Sequence, residues 1–143
     1  MAVRIAEEHL NGILVIDIDR YHDDRGYFEE LFHLDQLRTL GITDTFVQDN
    51  HSRSVRGVIR GMHYQHTQPQ GKLLTVLKGA IQLVEVDLRA NSPTFGQHVS
   101  LHLSDTQPRL VWIPPGFANG FCCLSDEADV IYKCTAFYNA SGE

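Results

Sequence analysis

Apolar positions along this chain fall in short, strand-sized runs broken by turn-forming residues. The stretch "GILVIDIDRY" alternates from Ile13 onward and predicts a strand, with "HDDRG" as the turn after it. Only "LDQLRTLGI" has helical spacing; it predicts a helix of one or two turns that stops at Gly41. Strand-sized pieces then follow in series: "TFVQDNHSRS", "GVIRGMHYQ", "KLLTVLKG", "AIQLVEVDLR", "HVSLHLS", "RLVWIPP", "NGFCCLS" and "DVIYKCTAFY". Within "IQLVEVDL" apolar and polar residues partly alternate, and Lys78-Gly79 before it predicts a tight hairpin turn. Short strands at this spacing with scarcely any helix predict an all-β fold, an antiparallel sandwich or jelly-roll barrel.

Length and composition narrow the function rather than the fold. The 143 residues suffice for one domain with a proper core, and no linker, repeat or compositional break divides residues 1–143. Twelve basic against eighteen acidic residues give a net charge of −6, which favours neither nucleic acid nor an anionic membrane as a partner. An anionic ligand must therefore be held by a local basic cluster. The N-terminus places acids ahead of a short apolar run and has no small-residue cleavage site, so it is a poor signal peptide. No apolar run approaches transmembrane length. The cysteines, Cys122, Cys123 and Cys134, are odd in number and two are adjacent, which argues against a disulfide framework and for a reducing cytoplasm. They read as small buried hydrophobes.

Most of the chemistry lies in "RGMHYQHTQPQGK", Arg60 to Lys72. A histidine in an early strand of a jelly roll resembles the cupin superfamily, whose first motif runs Gly, five residues, then His-x-His, Glu and Gly. Gly57 and His63 keep that spacing, but Gln65 stands at the second histidine and the Glu position falls on Pro69 or Gln70. The second motif reads "PPGFAN", so Asn119 stands where the last ligand would be. Amide carbonyls are weak ligands for transition metals. His66 lies three positions from His63, on the opposite face of a strand. No metal is expected, and no other cofactor.

Without a metal, His63 faces whatever the barrel binds, and imidazole is the natural proton carrier near neutral pH. Arg53, Arg56, Arg60 and Lys72 lie close by in sequence, with Arg25 in an earlier turn. Guanidinium forks suit phosphate oxygens, so converging cations would hold a diphosphate; otherwise they form a solvated basic edge. Arg60 and His63 are an odd number of residues apart and share a face only if Gly61 marks a bulge. An ammonium at Lys72 can stabilise a developing enolate. Tyr132 can deliver a proton, whereas Tyr64 and Tyr138 read as packing or ligand-stacking residues. Histidine and tyrosine across a cavity, with a cation between them, fit epimerisation beside a ketone.

The words "DDRGYFEELF", "FVQDNHSRS", "GVIRGMHYQ", "QGKLLTV", "VDLRANSPTFG", "WIPPGFANGF" and "YKCTAFYNASGE" strongly resemble dTDP-4-dehydrorhamnose 3,5-epimerases and related nucleotide-sugar epimerases, in order from about Asp17 to Glu143. The resemblance implies a metal-free cupin jelly roll and a homodimer that exchanges N-terminal strands. It implies a nucleotide-diphosphate 4-keto-6-deoxyhexose as substrate, epimerised at C3, C5 or both. It gives His63 the role of base, Tyr132 that of acid and Lys72 that of enolate stabiliser. Arg25, Phe28, Glu30, Gln48, Asp49, Asn50, Arg60 and Glu143 match nucleotide- and sugar-binding positions, Phe28 as the base-stacking aromatic. Asn119 departs from the family histidine; it can still hydrogen-bond a sugar oxygen but cannot shuttle a proton. Relatives also continue for several tens of residues past the Glu143 position, and there supply an aspartate that orients the histidine. Two alternatives answer that second departure: a natural short form in which another acid serves His63, or a truncated gene product that lacks the orienting carboxylate. The rival readings are a 3,4-ketoisomerase on the same scaffold, a catalytically silent sugar-nucleotide-binding module and a metal-dependent cupin oxygenase.

Overall fold

A computed structural model describes residues 2–143. Twelve strands and one short helix run in the order β1 (Val3–His9), β2 (Ile13–Ile18), β3 (Arg20–Asp23), β4 (Gly26–Glu29), α1 (Leu34–Thr39), β5 (Gln48–Val55), β6 (Ile59–His63), β7 (Lys72–Lys78), β8 (Ala80–Asp87), β9 (His98–Ser104), β10 (Arg109–Ile113), β11 (Phe117–Cys123) and β12 (Glu127–Cys134). A six-stranded sheet has the order β1-β2-β10-β7-β12-β5 and a four-stranded sheet the order β6-β11-β8-β9. All named pairings within them are antiparallel. The expected all-β jelly roll with one short helix is what the chain forms.

Period-2 alternation decides what faces the space between the sheets. Ile13, Val15, Leu74, Val76, Ile81, Leu83, Val111, Ile113, Phe117, Phe121 and Val130 meet there in one buried cluster. The opposite faces of β2, β7 and β10 supply Ile16, Ile18, Leu73, Leu110 and Trp112 to a second cluster, capped by Leu37 of α1 and by Ile42. Each such aliphatic side chain contributes about 1.5–3 kcal/mol when fully buried. Continuing the inner alternation past the apolar residues brings Lys72 of β7, Glu85 of β8, Asn119 of β11 and Tyr132 of β12 onto the same inner faces.

Two local readings change. The turn at Lys78-Gly79 forms, but it is no hairpin: β7 belongs to the six-stranded sheet and β8 to the four-stranded one. Gly79 has φ +79° and its Cα packs against the Glu127 carbonyl, leaving no room for a side chain at this corner. The N-terminal stretch is itself a strand, β1, whose residues are mostly exposed, so its sequence lacks the apolar alternation that marks the others.

Candidate active site

Cross-strand register assembles the site at one end of the barrel. On the four-stranded sheet, Asn119 sits opposite Glu85 on one side and His63 on the other. On the six-stranded sheet, Cys134 lies between Lys72 and Gln48, and Tyr132 is opposite Asn50. Where these rows face one another, a cavity of about 470 Å³ opens, lined by Gln48, Asn50, His51, His63, Gln70, Lys72, Tyr132, Tyr138 and Glu143.

His63 reaches it through a bulge at Gly61, the condition set by its odd separation from Arg60. His63 pairs with Asn119 and Arg60 with Phe121, so three steps along β6 match two along β11. Gly61, at φ +119°, lies so close to Gly120 that an added Cβ would stand 2.6 Å from the Gly120 Cα. His63 Nδ1–H donates to Glu143 Oε1 (2.8 Å), while Glu143 Oε2 accepts from the Tyr138 hydroxyl (2.9 Å). These two bonds, that from His63 foremost, hold the Glu143 carboxyl below its ordinary pKa. Nε2 of His63 is then the nitrogen left to accept a proton.

Lys72 is buried, and burial pushes its ammonium pKa down. Its Nζ donates to Asn119 Oδ1 (3.5 Å), linking the two sheets, and stands 5.5 Å from the centre of the Tyr132 ring. Asn119 Nδ2 in turn donates to Oε1 of Glu85. Burial raises the Tyr132 phenol pKa, so the hydroxyl keeps its proton at neutral pH; the neighbouring Arg60 charge opposes that shift. Arg60 itself is drawn against β5, its Nε donating to Ser54 Oγ (2.8 Å) and a second nitrogen to the Arg53 carbonyl (3.1 Å).

Several candidates lie elsewhere. Asp49 points to the opposite face of β5 from Gln48 and Asn50, where it pairs with Lys133 (3.0 Å). Strand alternation alone requires this. Arg25 and Phe28 sit on the β3–β4 hairpin, around a separate hollow with Asp23 and Tyr27, and Arg25 is held by Asp23 (2.6 Å). Glu30, at the foot of that hairpin, accepts from Gln36 of α1 (3.4 Å). A hairpin pairing only with itself carries these residues away from the chain's own cavity. Arg53 and Arg56 are neutralised by Asp129 and Asp126.

The motif positions that would hold a cupin metal have other tasks. Gln65 donates to the Gln68 and Phe137 carbonyls (2.7 and 3.1 Å) and accepts from the Asn139 N–H (3.0 Å), pinning the segment that carries Tyr138 and Glu143. Among the described residues no group of three His, Cys, Asp or Glu is placed to hold a metal ion. Sequence reasoning missed Gln65 and Glu85 as parts of the site. Glu85 had a signal: it shares its parity with Ile81 and Leu83 in an alternating strand, which points it inward.

Comparison with known proteins finds relatives in both sequence and fold. The sequence model of the dTDP-4-dehydrorhamnose 3,5-epimerase family matches residues 7–143. A dTDP-4-dehydrorhamnose 3,5-epimerase of Methanothermobacter thermautotrophicus is 48% identical over 136 residues, covering 95% of this chain and 74% of its own. A dTDP-4-dehydrorhamnose 3-epimerase of Streptomyces niveus is 36% identical, over 99% of this chain and 69% of its own. The crystal structure of a dTDP-6-deoxy-D-glucose-3,5-epimerase from Legionella pneumophila, in complex with dTDP-4-keto-L-rhamnose, superimposes with a TM-score of 0.95. It is 48% identical, and the match covers 98% of this chain and 75% of that one.

Proposed function

The chain belongs to the dTDP-4-dehydrorhamnose 3,5-epimerase family, and from that premise we propose that its cavity inverts C3, C5 or both of a dTDP-linked 4-keto-6-deoxyhexose. His63 Nε2 removes the proton alpha to the C4 ketone, and the electron pair passes to the C4 oxygen as an enolate. The Lys72 ammonium stabilises that oxygen, because a preorganised charge in a desolvated site acts where charge develops. Tyr132 returns a proton to carbon from the other face, and the phenolate is reprotonated from solvent. Glu143 orients His63 and stabilises the imidazolium, the task of the third member of a catalytic triad. Gln48 and Asn50 bind sugar or phosphate oxygens. The observation that carries this reading is that His63, Lys72 and Tyr132, from three strands in two sheets, line one cavity.

The working unit is a homodimer in the cytoplasm. The three free cysteines support the compartment. The dimer is supported by the β3–β4 hairpin, which exposes Tyr21, Tyr27 and Phe28 together with Arg25, apart from the chain's own cavity. In the dimer that hairpin presents Arg25 and Phe28 to the partner's nucleotide, beside the N-terminal strands exchanged between subunits. Co-expressed His63→Ala and Arg25→Ala chains should then regain activity that neither homodimer has. A monomer by light scattering, or no recovery, would remove the dimer from the reading.

Incubation with dTDP-4-keto-6-deoxyglucose in D₂O, followed by NMR, tests the chemistry. Deuterium at C3 and C5 is expected for a double epimerase and at one carbon for a mono-epimerase. Binding without any uptake would sink the proposal in favour of a silent binding module, and a carbonyl moved to C3 would indicate a ketoisomerase. His63→Ala should abolish uptake while nucleotide binding survives.

A further inference from the structure

Glu85 is the one wholly buried carboxyl beside the site that the mechanism above leaves without a task. Its side chain has no solvent exposure, Oε1 accepts the Asn119 amide, and Oε2 has no partner among the described residues. An acid in the core of a barrel is costly, and leucine or valine would fill the same inward position. We infer that Glu85 is a positioning residue for Lys72, acting through Asn119: it fixes the orientation of the Asn119 amide and, once ionised in the alkaline range, supplies charge that keeps the Lys72 ammonium protonated. The inference rests on the reading of Lys72 as the enolate stabiliser.

The orientation follows from hydrogen-bond chemistry. A side-chain amide has one accepting and one donating end. Lys72 can only donate, so Oδ1 of Asn119 must face it; Nδ2 then needs an acceptor on the far side, and Glu85 is the acceptor present. With that acceptor removed, nothing fixes the amide, and its NH₂ can turn toward the ammonium and repel it. Displacing the ammonium by about 1 Å from the enolate oxygen is enough to slow such a reaction by about 10²-fold.

The charge effect follows from the surroundings of both groups. Lys72 is faced by Glu85 across Asn119, by Tyr132 and Cys134 of β12, and by His63, His51, Tyr138 and Glu143 around the cavity. Glu85 is flanked by Asn119 on β11 and by the apolar Val99 on β9, with Lys72 as its cationic neighbour. Burial raises the Glu85 carboxyl to about 8 and lowers Lys72, so both titrate closer to neutrality than they would in water. Above that pH Glu85 ionises, and its negative charge makes the ammonium harder to deprotonate.

Kinetics of two variants test this, with Lys72→Ala as the control on the underlying reading. Glu85→Gln keeps an acceptor for Asn119 but cannot ionise; Glu85→Leu removes both functions. For Glu85→Gln the expected kcat/KM is close to wild type at pH 6.5, with the alkaline limb displaced to lower pH by about one unit. For Glu85→Leu the expected kcat falls about 10- to 100-fold with KM little changed. A Glu85→Gln profile that superimposes on wild type would remove the charge role even if Glu85→Leu failed to fold. Full kcat in folded Glu85→Leu would remove the orienting role. If Lys72→Ala abolishes turnover while both Glu85 variants behave as wild type, this inference falls and the enolate reading stands. Full activity in Lys72→Ala would overturn both.

Discussion

Replacing Glu85 by glutamine should make the protein more stable at neutral pH, by an amount set by the carboxyl's buried position. Burial is the leading cause that raises its pKa from 4.5 to about 8 in the folded chain. Between those values the unfolded chain ionises Glu85 while the folded chain keeps it protonated. The stability tied to this proton is complete below about pH 4.5 and is lost as pH rises toward 8. Each unit is worth about 1.4 kcal/mol, so the wild type forfeits about 3 kcal/mol by pH 7. Glutamine has no proton to lose and removes that slope. The gain over wild type should be near zero at pH 4.5 and about 3 kcal/mol at pH 7, or about 10 °C in Tm at this chain length. Urea denaturation of both proteins from pH 4.5 to 8, monitored by Trp112 fluorescence, reads this directly. Parallel stability curves, or a wild type more stable than the variant at pH 7.5, would refute the picture of a neutral buried acid.

Three further outcomes follow from other contacts. Tyr132→Phe should still exchange the substrate proton with solvent but invert the centre about 10²–10⁴-fold more slowly; equal losses in both would show that Tyr132 is no dedicated acid. Gly61→Ala has to fit a side chain at φ +119° against the Gly120 backbone, so it should lose about 1–3 kcal/mol and most activity as His63 is displaced. Retained activity in that variant would show that His63 does not depend on the bulge. Asp87 is wholly buried and accepts from Arg89, Ser92 and Thr94, bonds that hold its pKa far below the usual carboxylate range, so Asp87→Asn should cost about 3–5 kcal/mol in urea melts at pH 7. Because the folded pKa is depressed, the wild-type advantage should fade as pH drops below about 4; an advantage that persisted there would assign it to packing.

Short apolar runs bounded by turn residues made most of the strands readable from the sequence. Such runs marked β2 and β5 to β12, but β7, β11 and β12, buried on both faces over much of their length, hid the inward direction of Lys72, Asn119 and Tyr132, and alternation was clear only in β2 and part of β8. The same rule, applied within "QDN", separates Asp49 from its neighbours, whereas matching a motif treats all three positions alike. Sheet membership was less legible, because a tight turn such as Lys78-Gly79 serves equally for a hairpin or a corner; the choice is made by distant pairings with β12 and β11. Nor could spacing place the β3–β4 hairpin, whose aromatic side chains Tyr21, Tyr27 and Phe28 are exposed.

The clasp made by Gln65 gives the reaction centre an on–off character that its individual residues lack. Together with the bonds from the His66 N–H to the Gly142 carbonyl (2.8 Å) and from Gln70 to the Ala136 carbonyl (2.9 Å), it joins the segment from Thr135 to Glu143 to the β6–β7 connection. A fluctuation that frees this segment strips His63 of its carboxylate partner and removes one wall of the cavity in the same event. On the proposed mechanism, competence for proton abstraction would then be bounded by the local opening equilibrium of that segment rather than by unfolding of the barrel. Conditions that loosen the clasp would silence the enzyme while leaving the β-sheet core intact.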